Sequence, residues 1–389
     1  MVPFAYFTII VTSIFILISS LPPPSAAAPT GHQRQPPFKK IYAFGDSFTD
    51  TGNTGSATGP SGFSHVSSLP YGCTFFHRPT NRYSDGRLVI DFVAQYLSLP
   101  FLPPYRRHKA GPDSTSPGVN FAVAGSTAIK HSFFVRNNLT LNITPQSLGT
   151  QLVWFDKYME AQGYCRAPRS RQCRAAMDEA LFWVGEIGAN DYAYTVGSSV
   201  SRDTIQRLAI KSVTGFLQAL LTKGAKYVVV QGLPTTGCLP LSLTLTPADD
   251  RDALGCAATV NRQSFRHNLL LQSTIHQLRT QFPHSVILYA DYWNAYRTIM
   301  KNAAAYGFQE PIKACCGSGG GPYNFDIFGA CGSPLSSSCP DPSKYINWDG
   351  VHLTEAMYKA VSELFINGTF SHPPFKYLLS RKASAGGLS

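Results

Sequence analysis

"KIYAFGDSFTDTGN", residues 40–53, decides the architecture of this chain. Ile41, Tyr42, Ala43 and Phe44 form a β-branched and aromatic apolar run, the pattern of a strand buried on both faces. Gly45 ends the run in a turn, and the Ser, Thr and Asp residues that follow suit the first turn of a helix, where side-chain oxygens accept free backbone N–H groups. Ser47 therefore reads in two ways. It is either a cap of the next helix or a nucleophile presented at the carboxyl end of a strand.

Further apolar runs recur at 118–125, 180–188, 225–234 and 285–291. Between them, segments at about 203–223, 257–281 and 294–305 carry apolar residues at helical spacing and are too long for strands. Continuous apolar strands alternating with helices predict a parallel, doubly wound sheet covered on both faces. No internal repeat or linker divides this alternation, so residues 38–380 read as one α/β domain, with 29–37 as a short linker and 381–389 as a flexible tail. Two long insertions, 54–87 and 315–345, interrupt the pattern. Loops of that length in a compact domain are usually functional, and in an open α/β sheet they emerge at the carboxyl ends of the strands, where ligands sit.

The first 28 residues read as a secretory signal peptide: an apolar, uncharged stretch from 3 to 21 is followed by small residues ending near Ala26–Ala28. After cleavage no stable membrane insertion is expected. Secretion implies an oxidising compartment. Of nine cysteines, Cys165 with Cys173 and Cys238 with Cys256 would close short loops, while Cys315 and Cys316 would pair with Cys331 and Cys339 in either order. Cys73 is left over as a buried or free thiol. Adjacent Cys315 and Cys316 without a nearby His make a poor zinc cage, so no metal is expected. Sequons at Asn138, Asn142 and Asn367 predict surface asparagines open to glycosylation. The net charge of +11 has no long basic run behind it; "YRRHK" at 105–109 and "RSRQCR" at 169–174 read as solvated loops. For a secreted chain an acidic cell-wall polysaccharide is a more natural partner than nucleic acid. The expected location is extracellular, in apoplast or cell wall, with the vacuole or endomembrane lumen as the other destination.

A serine needs a base within hydrogen-bond reach and a group to orient that base. "YINWDGVHLTEAMYKAVSELF", residues 345–365, offers Asp349 and His352, three apart with Gly350 between them, just before a helix that Thr354 and Glu355 help to start. One turn of backbone can bring that carboxylate to one ring nitrogen and leave the other facing outward. An oxyanion also needs donors aimed at it in advance. Gly125 in "NFAVAGSTA", and Gly188 and Asn190 in "GEIGANDY", stand at predicted strand ends on the same edge as Ser47. Asp46, Asp50 and Asn53 read as residues that hold the turn carrying Ser47. The glycine run "GSGGGP" at 317–322 lacks the Lys-Ser/Thr that a phosphate loop requires.

"FGDSFTDTGN", "NFAVAGSTA", "GEIGANDY" and "NWDGVHLTEAMY", in this order, resemble the four sequence blocks of the plant GDSL esterase/lipase family within the SGNH hydrolases. "RPTNRYSDGR" at 78–87, "QGLPTTGCLP" at 231–240 and "YNFDIFGACG" at 323–332 are similar to stretches of the plant branch, so the resemblance covers nearly the whole mature chain. It implies a flavodoxin-like three-layer α/β/α fold with a mainly parallel sheet. It implies Ser47 as nucleophile, His352 as base, Asp349 as orienting carboxylate, and an oxyanion hole of the Ser47 and Gly125 backbone N–H groups and the Asn190 amide. The implied activity is hydrolysis of small-molecule or lipid acyl esters through an acyl-enzyme, without metal or cofactor. An acyltransferase would use the same triad, with an alcohol in place of water.

Overall fold

"KIYAF" forms strand β1 (Lys40–Phe44), buried along its whole length. In the computed structural model, residues 1, 37–56, 65–108, 111, 115–139, 144–165 and 170–386 are described. β1 lies between β2 (Gly118–Asn120) and β3 (Ala180–Val184), parallel to both. β4 (Tyr227–Gln231) and β5 (Val286–Ala290) extend the sheet beyond β3, again in parallel. The order β2-β1-β3-β4-β5 is that of the flavodoxin-like doubly wound sheet. Outside it, β6 (Glu310–Ala314) pairs with β9 (Tyr345–Asn347), and β7 (Cys316–Gly317) with β8 (Ser337–Ser338). β10 (Ser371–His372) runs antiparallel along the β5 edge.

Alternate strand residues serve opposite layers, as a two-residue side-chain period requires. Ile41, Ala43, Leu181, Trp183, Val229 and Leu288 pack with helices α1 (Val89–Tyr96), α5 (Tyr292–Lys301), α6 (Glu355–Ile366) and α7 (Phe375–Gly386). Tyr42, Phe44, Phe182, Val184, Val228 and Ile287 pack with α2 (Leu148–Ala161), α3 (Arg202–Lys223) and α4 (Ala258–Gln281). Each buried apolar side chain contributes about 1.5–3 kcal/mol relative to exposure, so both faces of every strand hold the three layers together. Helix α3 ends at Gly224, whose φ of 109° makes the left-handed stop that a side chain would strain.

Residues Pro36–Ser389 group as one unit. Apart from Met1 and Pro37, the expected signal peptide and linker lie outside the described residues, as does Asn142. Asn138 and Asn367 are exposed. Among the described residues no helix is long and apolar enough to cross a membrane. Two local expectations need correction. The stretch 381–389 is not a flexible tail from its start, because α7 continues to Gly386: Phe375 and Leu378 are buried, and Lys382 Nζ donates to the Asp178 carbonyl at 2.7 Å. Arg171–Asp178 is helical rather than loop, since Ser170 caps its first turn by accepting the Cys173 N–H at 3.2 Å.

Candidate active site

Ser47 follows β1 directly, where strand order reverses between β2 and β3 on either side. Gly45 has a φ of 139°, and a Cβ there would stand 3.3 Å from the Glu186 carbonyl, so only glycine lets the chain turn this close to the end of β3. Gln151 from α2 grips the turn through its amide: the Gly45 N–H donates to Oε1 at 2.9 Å and Nε2 donates to the Gly45 carbonyl at 2.7 Å. Asp46 Oδ1 accepts the Phe48 N–H at 3.1 Å. Asp50 accepts the N–H groups of Gly52, Asn53 and Thr54, and that of Ala124 from the neighbouring strand end at 3.0 Å. Asn53 Nδ2 donates to the carbonyls of Asn120 and Ala122. The acidic residues and Asn53 thus shape the turn, as the sequence suggests, and Ser47 itself is 5% exposed.

His352 and Asp349 come from the segment between β9 and α6. Thr354 starts α6 by accepting the Met357 N–H at 3.2 Å, and the chain before it folds so that Asp349 Oδ1 accepts the backbone N–H of Val351 and of His352. His352 Nδ1 lies 2.9 Å and 2.8 Å from the two carboxylate oxygens. Burial alone would raise the Asp349 pKa; the neighbouring His352, its hydrogen bonds and the Tyr71 hydroxyl reverse this and hold it at about 2. The opposite ring nitrogen, Nε2, is buried and makes no hydrogen bond among the described residues. The His352 ring stands 5.7 Å from that of Phe48, the residue after Ser47. The fold therefore brings the distant GDS and D-x-x-H segments together.

Residues 65–87 of the first long insertion close over this pair. Tyr71 is buried and its hydroxyl donates to Asp349 Oδ2 at 2.7 Å; the Tyr83 ring lies 4.5 Å from the imidazole. Asp85 Oδ1 accepts the Glu355 N–H at 2.7 Å, and Arg87 pairs with the Glu355 carboxylate at 2.7 Å, tying the loop to the start of α6. Arg82 makes a buried two-point ion pair with Asp91 of α1 at 2.8 Å per contact. The contact of Tyr71 with Asp349 is not anticipated from the sequence. The only local sign was an aromatic residue inside an insertion too long to be a plain connection.

Gly125 and Asn190 reach the same edge. Among the described residues, neither the Ser47 nor the Gly125 backbone N–H donates to a hydrogen bond, while the Gly125 carbonyl accepts from Tyr194 at 2.9 Å. Asn190 Nδ2 donates to Asp46 Oδ2 at 2.9 Å and to the Ser126 carbonyl at 3.0 Å. Both amide protons are thus engaged, so service to an oxyanion requires one of them to turn from its present acceptor. Gly188, with a φ of 131°, precedes this turn and packs against buried His267 of α4. Two further carboxyls accompany Asp46 here. Asp191 accepts the Ala128 and Ile129 N–H groups, yet burial pushes its pKa up to about 7. Burial likewise raises Asp46 to about 6 and, with the charge of Asp46, lifts Glu186 well above the carboxylate range.

The cysteines pair as Cys165–Cys173, Cys238–Cys256, Cys315–Cys339 and Cys316–Cys331, which resolves the order left open by spacing. Cys73 is free and half-buried. The Cys315 and Cys316 N–H groups donate to the carbonyls of Asn347 and Trp348, so the bridged 315–339 region supports the segment that carries Asp349. Among the described residues no group of three or more His, Cys, Asp or Glu side chains is arranged to hold a metal ion.

A flavodoxin-like sheet with an imidazole–carboxylate couple beside a serine turn at its switch point defines an α/β/α enzyme. The chain belongs to the GDSL-like Lipase/Acylhydrolase family, whose match spans residues 41–365. It is 56% identical over 374 residues to a GDSL esterase/lipase of Arabidopsis thaliana, covering 95% of this chain and 96% of the relative. It is also 40% identical over 337 residues to acetylajmalan esterase 2 of Rauvolfia serpentina, covering 85% of this chain and 90% of that one. A phospholipase A1 from Streptomyces albidoflavus aligns in structure over 84% of this chain and 97% of its own, with 12% identity and a TM-score of 0.33, too low to inform the site. The protein is a carboxylic ester hydrolase of the GDSL type.

Proposed function

We propose that the protein is a secreted serine carboxylesterase or lipase that works through a Ser47–His352–Asp349 triad and an acyl-enzyme. The observation that carries this reading is the His352 ring, bound through Nδ1 to a buried carboxylate and unpartnered at Nε2, beside the turn of Ser47. His352 Nε2 takes the Ser47 proton as Oγ attacks the ester carbonyl, and Asp349 holds Nδ1–H and stabilises the imidazolium that forms. The Ser47 and Gly125 N–H groups and the Asn190 amide receive the oxyanion. The proton on Nε2 passes to the leaving alcohol. Water then attacks the acyl-serine with His352 again as base, releasing the acid.

The four cysteine pairs support passage through an oxidising secretory compartment, and the net charge of +11 suits an acidic cell-wall polysaccharide. An acetyl ester is the first substrate to test, because one relative is named for acetylajmalan. A serine-directed phosphonate should label the wild type and leave Ser47→Ala unlabelled. Equal labelling of both overturns the assignment of Ser47. Offering candidate alcohols with a labelled acyl donor separates hydrolase from acyltransferase by the product formed.

A further inference from the structure

Glu186 stands at the end of β3 and has no part in the steps above. It is 1% exposed, and among the described residues no hydrogen-bond donor is directed at either of its carboxyl oxygens. Its backbone N–H donates to Gln231 Oε1 at 3.2 Å, which fixes the residue at the crest of the sheet. Its carboxyl lies within hydrogen-bond reach of Asp46. Asp46 is itself committed as an acceptor, taking the Phe48 N–H on one oxygen and the Asn190 amide on the other. Two carboxylates side by side out of water cannot both hold a charge, and two acceptors form a hydrogen bond only when one carries a proton.

We propose that Glu186 is a positioning residue that acts as a neutral carboxylic acid, donating its O–H to Asp46 and so locking the serine turn and the Asn190 turn together through one proton. This rests on the roles proposed for Ser47 and Asn190. Asp46 remains the acceptor for both turns, and Glu186 supplies the hydrogen bond that keeps its carboxylate stable in a buried place. The titratable groups facing the pair are Asp50 and His352 toward Asp46, Asp191 toward both carboxyls, and the Tyr292 and Tyr358 hydroxyls. Of these only His352 can carry positive charge. The rest add to the case for keeping a proton between the two carboxyls.

Glu186→Leu keeps most of the volume and removes the donor. Its kcat should fall about 100-fold with KM within about twofold, the effect of loosening a catalytic turn by about an ångström. Glu186→Gln keeps a donor that cannot ionise, and should restore kcat to within about threefold while extending activity to higher pH, since the second negative charge can no longer form. Equal losses in the two variants, or an unimpaired Glu186→Leu, would overturn the inference. The infrared difference between wild type and Glu186→Gln should contain the carbonyl band of a protonated carboxyl at neutral pH; its absence refutes the neutral acid even if a variant folds poorly. If Ser47→Ala is inactive and Glu186→Leu is not impaired, only the role of Glu186 fails. If Ser47→Ala stays active, the proposed mechanism fails first.

Discussion

Replacing Tyr71 by Phe removes one oxygen and leaves the ring packed edge-on against Tyr83 and Trp348, with centroids 6.0 Å and 5.9 Å away. Asp349 then keeps its contacts with His352 Nδ1 and the N–H groups of Val351 and His352, but loses the 2.7 Å donor on Oδ2. A hydrogen bond to a charged group is worth about 1.5–3 kcal/mol, so a stability loss of about 2 kcal/mol is expected at neutral pH. At about 1.36 kcal/mol per pKa unit, the same loss raises the Asp349 pKa by about 1.5. The sign follows from linkage. The Asp349 pKa is depressed to about 2 in the folded protein, so its contribution is present above the unfolded-state value and is lost as pH falls toward 2. Tyr71→Phe therefore moves the acid-unfolding midpoint to higher pH. It also leaves the carboxylate less firmly aimed at Nδ1, and a positioning loss of about 1.4 kcal/mol lowers kcat about 10-fold with little change in KM. Denaturant unfolding across the acid range and steady-state kinetics on a soluble chromogenic ester measure both effects. An unchanged kcat together with a stability loss below about 0.5 kcal/mol would refute the argument that this hydroxyl supports the carboxylate.

Asp91→Ala leaves the Arg82 guanidinium buried without its partner and should cost about 3–5 kcal/mol in denaturant unfolding, most of it recovered by replacing both residues with apolar ones of similar volume. His352→Ala should lower kcat by several orders of magnitude, and Asn190→Ala by about 100- to 1000-fold through the oxyanion site; near-wild-type turnover in either variant contradicts its role. Asp46 and Asp191 have folded-state pKa values raised to about 6 and about 7, so the stability they contribute is complete at acid pH and is lost as pH rises through those values. Asp349 stays ionised throughout that window. Thermal unfolding should accordingly occur at lower temperature at about pH 8 than at about pH 5, and a midpoint that rises over the interval contradicts the assignment.

The sheet was legible where an element carried its own local pattern. The runs at 225–234 and 285–291 contain β4 and β5, and the helical period at about 203–223 and 257–281 agrees with α3 and α4 to within about a residue. β10 was not legible, because two residues of backbone pairing on an edge leave no apolar period to read. The end of α7 was missed for a related reason. Its last turns are held by Lys382 on the Asp178 carbonyl, a contact across 204 residues that composition does not reveal.

The same division runs through the site. Asp349 and His352 lie three residues apart, so one turn of backbone makes their contact and sequence spacing is enough to expect it. Tyr71 reaches Asp349 across 278 residues, and Asn190 reaches Asp46 across 144. Contacts of this kind depend on the switch point, which places the ends of β1 and β3 side by side and lets the inserted loop fold back over them. Glu186 is the extreme case. In sequence it is one charged residue after an apolar strand, where a solvated carboxylate is the ordinary expectation; only the tertiary fold removes it from water and sets it against Asp46. That is why the serine turn and its local supports Asp46, Asp50 and Asn53 are legible in the sequence, while Tyr71 and Glu186, whose contacts span the fold, are not.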